Sequence, residues 1–138
     1  IIMMTQKSIN DLSYKIIGCA IEVHKELGPG LLETVYETCL IDELITARLN
    51  VQSQMLVPIK YKKKTLNSNL ILDILVEDTI IVELKTVEAI LPVHKAQLHT
   101  YLKLTNKPKG LLINFYSEII KDQIVSYVTP AFSDLPKQ

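Results

Sequence analysis

The chain has 138 residues, 48% hydrophobic and 22% charged, which is globular composition with enough apolar material for a real core. Its 15 basic and 15 acidic side chains balance to a formal net charge of zero. That excludes the general coating of nucleic acid performed by strongly basic proteins, while leaving room for a local basic patch. No apolar run reaches membrane-spanning length, and the N-terminus lacks the basic start and cleavage pattern of a signal peptide. One cytoplasmic domain over residues 1–138, with no membrane partner, is expected.

Residues 1–9 read as a loose lead-in. Asp11 can cap a helix running to about Leu27, with Ile17, Ala20, Ile21, His24 and Leu27 on one stripe. Gly28-Pro29-Gly30 ends it. A second helix is expected from about Leu31 to Leu49, with Leu32, Val35, Tyr36, Cys39, Leu40, Leu44 and Ala47 on its apolar side. Glu33, Tyr36, Glu37 and Leu40 keep three-and-four spacing, so Glu33 and Tyr36 share a face. Cys19 and Cys39 lack C-x-x-C spacing and read as buried, reduced thiols. The period then falls to two. Val51–Val57 and Ile59–Lys63 read as strands around Pro58, followed by a polar turn at Thr65–Asn69. Lys60, Lys62, Lys63 and Lys64 either track a phosphate backbone or form a solvated edge that discourages aggregation.

Leu70–Val76 and Ile80–Lys85 are two apolar strands joined by an acidic turn. A third helix spans about Ile90–Leu104, with Pro92 in its first turn and His94, Gln97 and Tyr101 on one stripe. Lys109–Phe115 is a short apolar strand. Lys121–Val128 fits a strand or a short helix, and the tail from Pro130 reads as loose. The order predicts an α/β protein: a mixed sheet flanked by helices.

The hairpin carries the chemistry. A carboxylate inside a buried strand is costly unless something pairs with it, and here there are two, Asp73 and Glu83. If Val76 faces Ile80 across a three-residue loop, Asp73 lies directly opposite Glu83. A two-residue turn would send them to opposite faces. Adjacent carboxylates repel unless a divalent cation sits between them. Magnesium or manganese suits such oxygen donors. Lys85 shares the face of Glu83.

Asp73 followed by Glu83-Leu84-Lys85 resembles the PD-(D/E)XK nuclease signature. Further segments make the likeness specific: Gly30-Leu31-Leu32-Glu33-Thr34-Val35-Tyr36 reads G-x-x-E-x-x-Y, and Leu91-Pro92-Val93-His94-Lys95-Ala96-Gln97-Leu98 and Gly110-Leu111-Leu112-Ile113-Asn114-Phe115 follow. In this order they resemble the GxxExxY family of that superfamily, over roughly residues 10–128. The resemblance implies a restriction-endonuclease-like α-β-β-β-α-β core and metal-dependent hydrolysis of phosphodiester bonds, in DNA before RNA. It implies Asp73, Glu83 and the Leu84 carbonyl as metal ligands, Lys85 as the residue activating water or stabilising charge, and Glu33 reaching the metal cluster. Gln97 and Tyr101 resemble the Q-x-x-x-Y of RecB-type nucleases, beside the active centre and the nucleic acid. Those enzymes also make His24 a candidate further metal ligand, against a plain helix-dipole role. Tyr36 is a candidate nucleic-acid contact, against a core tyrosine with a satisfied hydroxyl. Two departures from the pattern concern substrate contacts: the residues Asn69-Leu70-Ile71-Leu72 before Asp73, and Gln123 in Lys121-Asp122-Gln123. The competing reading is a silent nucleic-acid-binding or protein-interaction module. A second copy or another protein partner is compatible with either.

Overall fold

The computed structural model describes residues 3–68 and 70–138; Ile1, Ile2 and Asn69, which belong to the expected lead-in and polar turn, lie outside it. Two helices open the chain, α1 (Gln6–Leu27) and α2 (Glu33–Thr46). Thr5, not Asp11, starts α1. Its hydroxyl accepts the Ser8 N–H while the Ser8 hydroxyl accepts the Thr5 N–H. The backbone N–H groups of Gln6 and Lys7 donate to the carbonyls of Pro136 and Lys137. The tail is held as well: α4 (Pro130–Ser133) lets Phe132 and Leu135 pack on the core. Both ends read as loose because each finds its partner at the far end of the chain, which no local pattern reveals.

Then come β1 (Val51–Leu56), β2 (Ile59–Tyr61), β3 (Lys64–Leu66), β4 (Ile71–Val76), β5 (Ile80–Lys85), α3 (Pro92–Thr105), β6 (Lys109–Asn114) and β7 (Ile124–Val128). A short 3-10 turn, Ile120–Gln123, precedes β7, so the undecided Lys121–Val128 segment is helical turn and strand in series. The expected strand Ile59–Lys63 is cut by a turn at Lys62-Lys63 that pairs Tyr61 with Lys64; Thr65 lies inside β3, and the non-strand part of the expected Thr65–Asn69 turn starts at Asn67.

Five strands make one mixed sheet in the order β1-β4-β5-β6-β7. Among the described residues only β5 and β6 run parallel, with α3 as their crossover. The β2–β3 hairpin stands outside this sheet. Helices α1 and α2 cover one face, packing Ile16, Ala20, Tyr36 and Leu40 on Ile74, Val82, Leu84 and Ile113. Helix α3 covers the other, packing Leu98, Tyr101 and Leu102 on Leu75, Ile81 and Leu112. Gly110 permits that close approach: a Cβ there would lie 2.7 Å from Leu98 Cδ1. The expected α/β layering is present, and the sheet's two faces bring elements from both helical layers to one place on β4 and β5.

Candidate active site

The hairpin register follows the parity argument. Val76 pairs with Ile80, Leu75 with Ile81 and Ile74 with Val82. Glu77, Asp78 and Thr79 form the loop; Glu77 and Asp78, both at positive φ, do the work expected of glycine. Continuing the register by one residue sets Asp73 opposite Glu83. The two carboxylates lock the strands together there. Asp73 N–H donates to Glu83 Oε1 at 3.2 Å, and Leu84 N–H donates to Asp73 Oδ2 at 2.9 Å. Lys85 carbonyl accepts from Phe115 N–H on the β6 side. Leu84, one residue back, therefore presents both its N–H and its carbonyl to the β4 side, toward Asp73.

The sheet is irregular at this point. The β1–β4 ladder runs Ser53↔Ile74 and then Met55↔Leu72, omitting Gln54 opposite Asp73, and the β4–β5 ladder ends at Ile74↔Val82. Gln54 sits at φ +52, a left-handed conformation rare for a non-glycine strand residue. Leu72 packs in the α3-side core, whereas Ile74 packs in the core under α1 and α2. Strict alternation would put both on one face. The strands thus roll over at Gln54 and Asp73, and the sheet opens around one carboxylate.

Each helical layer sends polar groups to the opening. From α2, Glu33 is half-buried, and its carboxyl is raised by burial, then by Asp73, with Lys85 opposing. Glu37, one turn on, is raised by burial and by Asp73, while Gln54 holds it down by donating its amide N–H to Oε1 at 2.7 Å. From α3, Gln97 Oε1 accepts from Lys85 Nζ at 3.2 Å, and Gln97 Nε2 donates to the Tyr101 hydroxyl at 3.1 Å. Tyr101 in turn donates to the Ile71 carbonyl at 3.1 Å, which ties α3 to the start of β4. Glu83 is the most perturbed group. It is 4% exposed, and burial followed by the charge of Asp73 pushes its carboxyl up to about 10. Absent a cation, Glu83 keeps its proton across the neutral range.

The structure therefore gathers Asp73, Glu83, Lys85, Glu33 and Gln97. Others take different places. Tyr36 is not a nucleic-acid contact: it is fully buried, stacked on Phe115 with ring centroids 4.6 Å apart, and its hydroxyl donates to Gly28 carbonyl and accepts from Leu31 N–H. Tyr101 is 2% exposed, so it supports Gln97 rather than meeting a ligand itself. His24 packs Nε2 against Ser117 carbonyl. That nitrogen has no lone pair for a metal, so Nδ1 is the ring's one remaining donor atom for a cation. His94 accepts the Leu91 N–H at 2.9 Å and caps α3. Glu37 lies on the helical stripe of Glu33, where spacing alone does not separate a site acid from a solvated one. Gln54 carried no signal, since left-handed backbone is invisible in composition. Gln123, a departure from the family pattern, accepts from Asn114 Nδ2, while Asn114 also bonds the backbone of Val87 just past Lys85.

Among the described residues, no three His, Cys, Asp or Glu side chains converge closely enough to hold a metal by themselves. The Asp73 and Glu83 oxygens and the Leu84 carbonyl edge are an all-oxygen set, and they fit a hard divalent cation that keeps waters of its own.

A helix-flanked mixed sheet whose central hairpin brings an Asp against a Glu-x-Lys defines a restriction-endonuclease-like fold. The profile of the PD-(D/E)XK nuclease superfamily matches residues 10–127, and the chain belongs to that superfamily. Enzymes of this superfamily generally use divalent metal ions. Curated proteins and solved structures give no significant match.

Proposed function

We propose that the protein is a metal-dependent nuclease of the GxxExxY type that hydrolyses phosphodiester bonds in DNA, with RNA the second choice. The observation that carries this reading is the Asp73–Glu83 contact where the sheet ladders are interrupted, with Lys85 two residues past Glu83 on the same strand. Two carboxylates held this way are a poor structural element and a good cation site. A bound magnesium or manganese ion would polarise the phosphodiester and acidify water. Asp73, Glu83 and the Leu84 carbonyl would hold it. Glu33 borders the same space from α2. Lys85, oriented by Gln97, places its ammonium where negative charge develops on the phosphate and orients the attacking water. Tyr101 fixes Gln97, and the two apolar cores keep bulk water away from the strands.

The test is a divalent-metal titration followed by melting temperature, with cleavage assays on single-stranded, double-stranded and branched substrates. Stabilisation by magnesium or manganese that disappears in Asp73→Ala, together with metal-dependent cutting, is expected. A protein that gains no stability from any metal and cuts nothing, yet is stabilised by nucleic acid alone, is a binding module and not an enzyme.

A further inference from the structure

From Leu44 to Leu72 the chain has no acidic residue and five basic ones, Arg48, Lys60, Lys62, Lys63 and Lys64. In a protein of zero net charge this is a marked separation. Four of the five lie on the β2–β3 hairpin, whose residues from Lys60 to Asn67 are all exposed. Among the described residues these lysines form no ion pair. Lys62 is the first residue of the two-residue turn and sits at φ +55, where the turn favours glycine. Its ammonium lies 5.5 Å from the ring centroid of Tyr61, itself 58% exposed.

The hairpin grows from the catalytic end of the sheet. Val57 N–H donates to Leu70 carbonyl at 2.7 Å and closes its base. Leu70 leads into β4, which reaches Asp73 at its third residue. The site sets the acidic side chains of Glu33, Glu37 and Asp73, beside a protonated Glu83, against one lysine. A polyanion approaching that centre is repelled unless positive charge flanks it.

We propose that the β2–β3 hairpin is a gripping arm for duplex DNA, with Lys60, Lys62, Lys63 and Lys64 on its phosphates and Tyr61 at the groove wall. The inference rests on the nuclease reading of the neighbouring site for its choice of a nucleic acid. The shape selects DNA: a two-stranded ribbon enters the major groove of B-form DNA, whereas the deep, narrow major groove of A-form RNA admits no side chains.

The test replaces all four lysines by glutamine (K60Q/K62Q/K63Q/K64Q). The arm shares no ladder with the main sheet, so melting should be unchanged. Fluorescence anisotropy with a labelled DNA duplex in chelator should show affinity reduced on the order of a hundredfold at 0.1 M salt, and the salt slope smaller by up to about 4, as expected for four lost phosphate contacts. Manganese-dependent hydrolysis of bis(p-nitrophenyl) phosphate, too small to reach the arm, should be unaffected. Unchanged DNA affinity and slope, with the small diester still hydrolysed, overturn the arm alone. Loss of DNA binding in a protein whose wild type hydrolyses no diester supports the arm and overturns the nuclease reading. An equal loss on duplex RNA of the same sequence overturns the groove assignment. Wild type that sediments with anionic phospholipid vesicles but ignores DNA overturns the proposal altogether.

Discussion

Glu83 gives the sharpest test of the site, and it needs no substrate. In the metal-free protein its folded pKa is about 10, against an ordinary value of 4.5. The folded state therefore holds a proton that the unfolded state releases. The stability linked to this group is complete below pH 4.5 and is lost progressively as pH rises toward 10. One proton corresponds to about 1.4 kcal/mol per pH unit, so moving from pH 6 to pH 8 should remove up to about 3 kcal/mol. At roughly 3 °C per kcal/mol for a chain of this size, that is up to about 9 °C in melting temperature. Glu83→Gln keeps the shape, has no proton to lose, and should show a flatter curve by that difference. Adding magnesium or manganese to wild type should flatten it too, because a cation replaces the proton between Asp73 and Glu83. The assay is thermal melting at pH 6, 7 and 8 in chelator and in excess metal, for both proteins. Parallel wild-type and Glu83→Gln curves would refute the buried-carboxyl reasoning, and with it the idea that this pair awaits a cation.

Four further outcomes are expected. Lys85→Ala should fold and bind metal but cut roughly a hundredfold more slowly or worse, as for loss of one preorganised charge-stabilising group; cutting at the wild-type rate would remove Lys85 from catalysis. Asp73→Ala should lose both metal stabilisation and cleavage, read by melting and by a nuclease assay on the same sample. At Gln54 the backbone is the variable: Gln54→Gly relieves a left-handed strain of about 1 kcal/mol and should keep cleavage, whereas Gln54→Val favours extended backbone and should lose tenfold or more, although both delete the amide on Glu37. Gly110→Ala drives a methyl into Leu98 and should cost about 1–3 kcal/mol by denaturant unfolding, with no change in metal affinity.

The parts of this molecule legible in the sequence are those set by short-range geometry. Strand parity placed Asp73 opposite Glu83, because β4 and β5 are joined by a loop whose length decides the register. Helical spacing put Glu33 on one stripe and Gln97 on another, and both reach the opening. What stayed hidden depends on contacts far along the chain. Thr5 outcompetes Asp11 as a cap because the start of α1 is also pinned by Pro136 and Lys137. Tyr36 has the amphipathic chemistry of a ligand contact, but Phe115 and the Gly28 carbonyl claim it from β6 and the α1–α2 turn. The lysine turn is not legible because Lys62-Lys63 carries none of the residues that mark a turn, and it forms at a strained φ regardless.

The irregular backbone explains how a stable sheet can contain such a site. A continuous ladder would use the Asp73 N–H for β1 and the Leu84 N–H for β4, leaving the buried carboxylates without donors. Gln54 breaks the first of these pairings, and the end of the β4–β5 ladder breaks the second. Both freed N–H groups then turn to carboxylate oxygens, so no buried side-chain polar atom among the described residues lacks a partner. The local cost is a left-handed glutamine and a proton trapped on Glu83. It is offset by the fully buried apolar pairs on either side, Ile74 with Val82 below α1 and α2 and Leu75 with Ile81 below α3. Strain of this kind persists where surrounding structure over-determines it, and it collects at functional sites. Here it falls on Gln54 of β1, opposite the one residue of β4 that carries a charge, and the two cores on either side hold the irregular backbone in place.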